Sequence, residues 1–305
     1  MSEKKLSVSI VIPNRNGAKL LEKHLPAVIQ VAKGAEIIVV DDGSSDNSVA
    51  LTREKFSGVR IVEKRKHEGF ASTVNAGVAA AHGDIVVLLN SDVEPEANFL
   101  DALLPHFRDE TVFAVGCLEK SHENGQVVLR GRGEASWIKG YFIHKRGDVN
   151  KSTTAWASGG SSAFRRSMWA ELGGMDALYN PFYWEDIDLS YRALKAGYRL
   201  VFEKKSIVHH YHEIGIIKRE YSPQYVKLIA YRNQFIFIWK NVSDPGIWLA
   251  HCFWTPVKLV KALLTLDALM VAGYFSAMMR LPRILASRWY SMRFWKKTDR
   301  VIMLG

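Results

Sequence analysis

The sequence is short of the signals that usually assign a chain quickly. It has two cysteines in 305 residues, Cys117 and Cys252, far apart and in apolar surroundings. That excludes a disulfide framework and a thiolate metal cage, and it favours a reducing compartment. No Gly-x-Gly-x-x-Gly follows the first apolar segment, where Pro13-Asn14-Arg15-Asn16-Gly17 stands instead, and no phosphate-loop signature occurs. Both absences count against a dinucleotide fold or a P-loop enzyme, so any phosphate must be held by a metal and by basic side chains. Internal repeats and low-complexity segments are lacking. The apolar stretch from Leu6 to Ile12 is too short for a signal-peptide core or a membrane span and stops at Pro13. The chain is therefore expected to stay in the cytosol. Acid is in deficit, 31 Asp and Glu against 41 Lys and Arg, for a formal charge of +10. Such an excess suits nucleic acid, anionic lipid or phosphate-bearing substrates.

What is present is an alternation. Val8 to Ile12, Glu36 to Val40, Val59 to Val62 and Ile85 to Leu89 read as short buried strands rich in β-branched residues. Helical patterns lie between them at Lys19 to Val31, Ser45 to Lys55 and Ala71 to Ala81. This βαβα order predicts a Rossmann-like α/β fold with a mainly parallel sheet, whose ligands sit outside the carboxyl ends of the strands. From Val112, glycines punctuate short polar and aromatic stretches that predict hairpins and loops. A short helix is expected around Ser167 to Leu172, and another from Glu185 to Ala196 closed by Gly197. The expected organisation is a catalytic domain over 1–222, with a nucleotide-binding half at about 1–118 and an acceptor-side half at about 119–222. A helical region over 223–305 follows.

Thr255-Pro256 reads as the cap and first position of a helix running to Arg280. Lys258, Lys261, Thr265, Ser276 and Arg280 form one stripe of it, and apolar residues cover the rest. Lys258, Lys261 and Asp267 interrupt the run, so an amphipathic helix lying in a membrane plane is expected, with no spanning segment. Asp267 falls on the wrong face for that reading. Basic residues from Arg280 to Arg300, interleaved with Trp289, Tyr290, Phe294 and Trp295, suit an anionic lipid surface. Packing on the domain or an oligomer interface is the alternative.

Two strands end in acid, at Asp41-Asp42-Gly43-Ser44-Ser45 and at Asn90-Ser91-Asp92. Carboxylates there face the ligand crevice, where one can accept hydrogen bonds from a ribose or base and another can hold a divalent cation. The simpler reading is a turn and a helix cap. A third cluster, Trp184-Glu185-Asp186-Ile187-Asp188, opens a helix. Acid in a first turn suits the helix dipole, but a partly desolvated carboxylate beside Tyr183 and Trp184 could also serve as a general base. His209, His210 and His212 close a strand after this acid-lined region and are candidate metal ligands.

In these residues the sequence resembles the family 2 glycosyltransferases, over roughly Ser7 to Gly215, and in particular the bacterial branch with rhamnosyltransferases of cell-surface polysaccharide assembly. The resemblance rests on Val11-Ile12-Pro13-Asn14, Val39-Val40-Asp41-Asp42-Gly43-Ser44-Ser45-Asp46, Gly69-Phe70-Ala71 with Asn75-Ala76-Gly77, Ser158-Gly159-Gly160, Leu172-Gly173-Gly174-Met175-Asp176 and Glu185-Asp186-Ile187-Asp188-Leu189 with Arg192 and Gly197. It implies the A-type glycosyltransferase fold. It also implies a nucleotide site at Pro13, Asn14, Asp41, Asp42, Gly69, Asn75 and Ser91, with an acceptor side at Gly159, Gly160 and Trp184. Asp92 would end the metal-binding Asp-x-Asp motif, with Mg²⁺ or Mn²⁺ bound there and completed by His210, or by His209 or His212. Asn90 replaces the first aspartate of that motif. Asp186 would be the general base, with Glu185 beside it.

The implied activity is inverting transfer of a sugar from a UDP- or dTDP-sugar to a hydroxyl of a lipid-linked or glycan acceptor, without nucleic acid. The expected location is peripheral, on the cytoplasmic face of the cell membrane. The rival readings are a sugar-nucleotide pyrophosphorylase and a non-catalytic membrane- or nucleic-acid-binding protein.

Overall fold

The computed structural model describes residues 6–123, 125–211 and 220–303. Its first part is β1 (Val8–Asn14), α1 (Ala18–Val31), β2 (Glu36–Asp41), α2 (Ser48–Lys55), β3 (Arg60–Glu63), α3 (Phe70–Ala80) and β4 (Ile85–Leu89). These strands lie parallel in the order β3-β2-β1-β4. Side chains alternate across β1, so Ile10 and Ile12 pack with Leu21, Leu25 and Val28 of α1. Val11 packs on the opposite face with Val74 and Val78 of α3. Both faces are covered, which is why these strands read as unbroken apolar runs. The chain reverses its direction of sheet growth at β1, which leaves a crevice at the carboxyl ends of β1, β2 and β4.

The sheet continues through β5 (Val93–Pro95), β6 (Val112–Glu123), β7 (Gln126–Arg130), β10 (Ser161–Arg165) and β11 (Arg199–Tyr211). β10 runs antiparallel between β4 and β6, β11 lies parallel to β6, and β5 pairs antiparallel with β11. The expected hairpins are β6–β7 and the separate pair β8 (Gly133–Ile138) and β9 (Tyr141–Arg146). Helices α4 (Phe99–Leu103), α5 (Arg166–Glu171) and α6 (Glu185–Lys195) complete this part. Gly197, at φ +93°, follows the end of α6 as expected of a residue in the left-handed region.

Among the described residues, α7 (Pro223–Asn241), α8 (Pro245–Leu264), α9 (Ala268–Met278), α10 (Leu281–Met292) and α11 (Asp299–Met303) follow. Three expectations are corrected here. Pro256 lies inside α8, which starts eleven residues earlier at Pro245, where the Asp244 carboxylate caps Gly246 and Ile247. Thr255 is no cap; its buried hydroxyl bonds Tyr141. With these added residues α8 is long and apolar enough, by length and composition, to cross a membrane. The helix does not run through to Arg280 but breaks at Leu266, at φ +57°. Asp267 then begins α9, and its carboxylate accepts from Tyr231 (2.7 Å) and Lys227 (3.1 Å) of α7, which accounts for its position.

Helix α7 is not amphipathic. Phe235 through Trp239 are all buried, because α7 packs against α6, β9 and α9 at once. Its Lys240 ammonium reaches Asp176 (2.7 Å) and Asp188 (2.8 Å). The outer helices differ. Leu264 is 80% and Leu266 89% exposed, and Leu249, Phe253, Val260, Met279 and Trp289 are also uncovered.

Candidate active site

A crevice of about 390 Å³ opens at the carboxyl ends of the parallel strands. Pro13, Asn14, Asp42, Ser91, Asp92, Gly159, Gly160, Glu185, Asp186 and His210 all line it.

On the nucleotide-facing side, Asp42 follows β2 and is nearly buried. Lys64 Nζ (2.8 Å) and the Glu68 amide (3.0 Å) donate to its Oδ1, while His67 Nδ1 (2.6 Å) and the Gly69 amide (3.0 Å) meet its Oδ2. Burial would raise the Asp42 pKa, but these partners, Lys64 foremost, hold it below the ordinary carboxylate value. Gly43, at φ +68°, is required because a Cβ there would lie 2.8 Å from the Lys66 carbonyl carbon. Asp41 faces away from the crevice: its oxygens accept from the Asn14 amide (3.0 Å) and from the Ser44 amide (2.9 Å) and hydroxyl. Asp41 thus builds the turn. Gly69 gives its N–H to Asp42, and its carbonyl accepts from the Thr73 amide (3.1 Å) and hydroxyl (2.8 Å). Asn75 lies away from the crevice, because both ends of its amide bond the Met175 backbone, at 2.7 and 3.0 Å.

Across the crevice, Asp92 follows β4. Its Oδ1 lies 3.3 Å from His210 Nε2, and the other ring nitrogen of His210 lies 3.0 Å from Glu119. Alternation along β11 points His210 inward. His209 points outward, to Glu96 (3.1 Å) and His122 (3.0 Å). His212 lies outside the described residues. Burial would lower the His210 pKa, but the hydrogen bonds and charges of Asp92 and Glu119 outweigh it and raise it to about 10. With no metal bound, these two carboxylates favour the protonated ring, and Nε2 could ligate a metal only by giving up its proton. Among the described residues no three His, Cys, Asp or Glu side chains close around one point. Asp92 and His210 do offer an oxygen and a nitrogen side by side in the crevice, with the ring oriented from behind by Glu119. That donor set fits a cation which takes its remaining ligands from diphosphate and water. Asn90 lies against Gly160, where a Cβ would meet the Asn90 amide nitrogen at 2.6 Å.

The third side is the first turn of α6. Tyr183 and Trp184 precede it at φ +69° and +79°, a costly pair of left-handed residues. Asn233 of α7 holds this bend by donating one amide group to the carbonyls of Tyr179, Phe182 and Tyr183, at 2.9 to 3.0 Å. Trp184 itself does not face the crevice; it packs among Phe142, His144 and Phe237, and Tyr183 is the ring that lines the opening. Asp186 accepts from the Gly159 amide (3.2 Å) and the Ile187 amide (2.8 Å). Burial pushes its pKa up against those bonds. Glu185 is pushed up to about 8, by burial first and then by the charge of Asp186, and its Oε2 meets no donor among the described residues. Asp188 is different. It is fully buried and accepts from Tyr179 (2.8 Å), Arg192 (2.8 Å), Lys240 (2.8 Å) and Asn241 (2.7 Å), which makes it the anchor of α6.

Glu119, Lys64, His67, Asn233 and Lys240 were invisible to sequence reasoning. Each is set by strand register or by a contact far along the chain, and no local pattern marks it.

In sequence and in fold the chain is similar to known proteins. The profile of Glycosyl transferase family 2 matches residues 9–173. The pre-mycofactocin glycosyltransferase of Mycobacterium tuberculosis is 30% identical over 217 residues, 67% of this chain and 43% of that protein, so the chain spans less than half the length of this relative. The N-acetylglucosaminyl-diphospho-decaprenol L-rhamnosyltransferase of the same organism is 25% identical over 265 residues, 77% of this chain and 84% of that one. In fold, the mannosyltransferase PcManGT of Pyrobaculum calidifontis, solved with GDP-mannose and Mn²⁺, superposes with a TM-score of 0.57 at 18% identity, covering 99% of this chain and 88% of that chain. With the profile covering more than half its length, the chain belongs to glycosyl transferase family 2.

Proposed function

We propose that the protein is an inverting glycosyltransferase that moves a sugar from a UDP- or dTDP-sugar to a hydroxyl of a lipid-linked or polysaccharide acceptor in cell-surface glycan assembly. One observation carries this reading: Asp42, Asp92, Asp186 and His210, from four separate segments, line one crevice. Asp42 and Asn14 mark the nucleotide end. Asp92 and His210 would hold Mg²⁺ or Mn²⁺, which when bound neutralises charge on the leaving diphosphate. Asp186 takes the proton of the acceptor hydroxyl. Its desolvation favours that role, since a raised pKa makes a carboxylate a stronger base near neutral pH. The acceptor oxygen bonds to C1 as the C1–O bond to diphosphate breaks on the opposite face, so the anomeric centre inverts. Glu185, mostly protonated near pH 7, adds no second negative charge beside the base.

The uncovered apolar residues of α8 to α10, with Lys261, Arg283, Lys296 and Lys297 nearby, support binding at the cytoplasmic surface of an anionic membrane. A peripheral position is favoured over a span because Ile247, His251, Thr255 and Ala262 of α8 are buried against the rest of the protein. Nucleic acid is not a proposed partner.

The test is a donor screen. UDP or dTDP with Mn²⁺ should raise the melting temperature where ATP and oligonucleotides do not, and one sugar nucleotide should be turned over with release of its nucleoside diphosphate. Stabilisation by no nucleoside diphosphate, with release from no donor, would reject the proposal.

A further inference from the structure

We propose that Lys139, in the β8–β9 turn, and Lys258, of α8, hold the phosphate of a membrane phospholipid between them, with its acyl chains laid along the bare side of α8. This rests on the helical region lying at an anionic membrane, and it names the place where a head group is held. Hairpin and helix meet closely here: a Cβ on Gly140 would lie 2.2 Å from the His251 amide nitrogen. Two cation–π contacts cross the junction. The Lys139 ammonium sits 4.0 Å from the centre of the Trp254 ring, and the Lys258 ammonium 3.4 Å from that of Tyr141, which is wholly buried. A ring face attracts the charge but leaves the three ammonium hydrogens without an oxygen. Among the described residues neither ammonium meets a carboxylate or any other hydrogen-bond acceptor. Enclosed lysines elsewhere in the fold, Lys64, Lys195 and Lys240, each reach a carboxylate. Burial lowers the Lys258 pKa and the charge of Lys139 lowers it further, so the junction is short of negative charge. A phosphate set between the two ammoniums supplies that charge together with oxygen acceptors.

The surface around the pair selects a lipid over a free phosphate. Ile247, His251, Thr255 and Ala262 form the buried side of α8, while Leu249, Phe253, Val257, Val260 and Leu264 form a bare stripe. Trp254, Lys258 and Lys261 recur at i, i+4 and i+7 along the border between the two. Aromatic and basic side chains bordering an apolar stripe match a phospholipid, whose head group lies above its acyl chains. Ile138, next to Lys139, is also uncovered. The same hairpin sets His144 against Trp184, with 4.8 Å between ring centres, just ahead of α6. A lipid held at the turn therefore fixes how the crevice faces the membrane.

The experiment is flotation of the full chain with liposomes of phosphatidylcholine, alone or mixed with phosphatidylglycerol. Lys139→Gln/Lys258→Gln is compared with Lys151→Gln/Lys204→Gln, which removes the same charge from two exposed lysines elsewhere. The first pair should weaken binding to the anionic liposomes roughly tenfold or more, and the second by less than about twofold, because only charges close to the lipid surface count. Equal losses in the two variants, or equal wild-type binding to both liposomes, would overturn the site. Stabilisation of the wild type alone by inorganic phosphate, with liposome binding unchanged in Lys139→Gln/Lys258→Gln, would assign the pair to a free phosphate and overturn the lipid. If Lys258→Gln does not fold, Lys139→Gln against Lys151→Gln decides. A severalfold loss in Lys139→Gln alone supports the site, and equal binding overturns it. Wild-type protein that floats with neither liposome rejects the membrane reading and this inference with it, whereas full flotation of Lys139→Gln/Lys258→Gln rejects this site alone.

Discussion

The crevice has two acidic rims built by opposite means. At the strand-end rim, Asp42 is surrounded by donors and a lysine, which hold its carboxyl below the ordinary carboxylate value. At the helix rim, Glu185 and Asp186 have been taken out of water with few donors and no cation bonded to them, so both hold protons more tightly than usual. The residue types are nearly the same; environment alone separates a fixed charge from a proton acceptor. Asp188, two residues after Asp186 in α6, shows how local the difference is, since Lys240 and Arg192 bring it back below the ordinary value against its burial.

Four changes would break or sharpen this contrast. Asp186→Asn removes the proton acceptor but keeps its shape, and turnover should fall by about 10²- to 10⁴-fold. Calorimetric affinity for nucleotide should persist; near wild-type turnover would move the base elsewhere. Lys240→Met leaves Asp188 and Asp176 short of their buried cation, so thermal or urea unfolding should register a loss of about 3 kcal/mol. An unchanged midpoint would show that α6 is anchored by packing alone.

Glu185→Gln tests the desolvated rim through pH. Its folded pKa of about 8 lies above the ordinary 4.5, so the fold prefers the protonated form. The associated stability is fully present below about pH 4.5 and is lost as pH rises through about 8. The Gln variant cannot ionise, so it should gain on the wild type as pH rises from about 4.5 to about 8, by several kcal/mol in unfolding free energy by the upper limit. A pH-independent difference would mean that Glu185 ionises in the fold as it does in water. The smallest effect is expected outside the crevice. Leu264→Glu with Leu266→Glu should reduce flotation with anionic liposomes severalfold and leave nucleotide affinity unchanged, since both residues face solvent.

Much of the strand-end rim was legible in the sequence. The strands Val8–Asn14, Glu36–Asp41 and Ile85–Leu89 fall within a residue or two of the apolar runs that announced them, because strands buried on both faces leave an unbroken signal. The acids that end them project where the fold class says ligands bind. What could not be read was parity and partnership. Three histidines in four residues look equivalent until β11 is placed in register and turns His210 inward and His209 out. Asp41 and Asp42 look interchangeable until hydrogen bonds assign one to a turn and the other to the crevice. The last eighty residues misled most. Thr255-Pro256 and Asp244-Pro245 carry the same cap signature, and only packing shows that the earlier one starts the helix. An apolar stretch cannot announce whether it will cover protein or meet lipid, and α7 does the first while Leu264 and Leu266 remain bare.

The short helix α11 has a consequence for biosynthesis. Its Asp299 accepts from Lys195 of α6 (3.1 Å), from Tyr191 (2.6 Å) and from the Ser243 and Asp244 amides (2.6 Å), and both Asp299 and Lys195 are wholly enclosed. A nascent chain that has emerged as far as residue 290 already carries every crevice side chain, yet the ammonium under α6 still lacks its counter-ion. That ion pair can form only after residue 299 has been made, and a cut just ahead of it would leave the enclosed ammonium with the Asn241 carbonyl and the Ser243 hydroxyl alone.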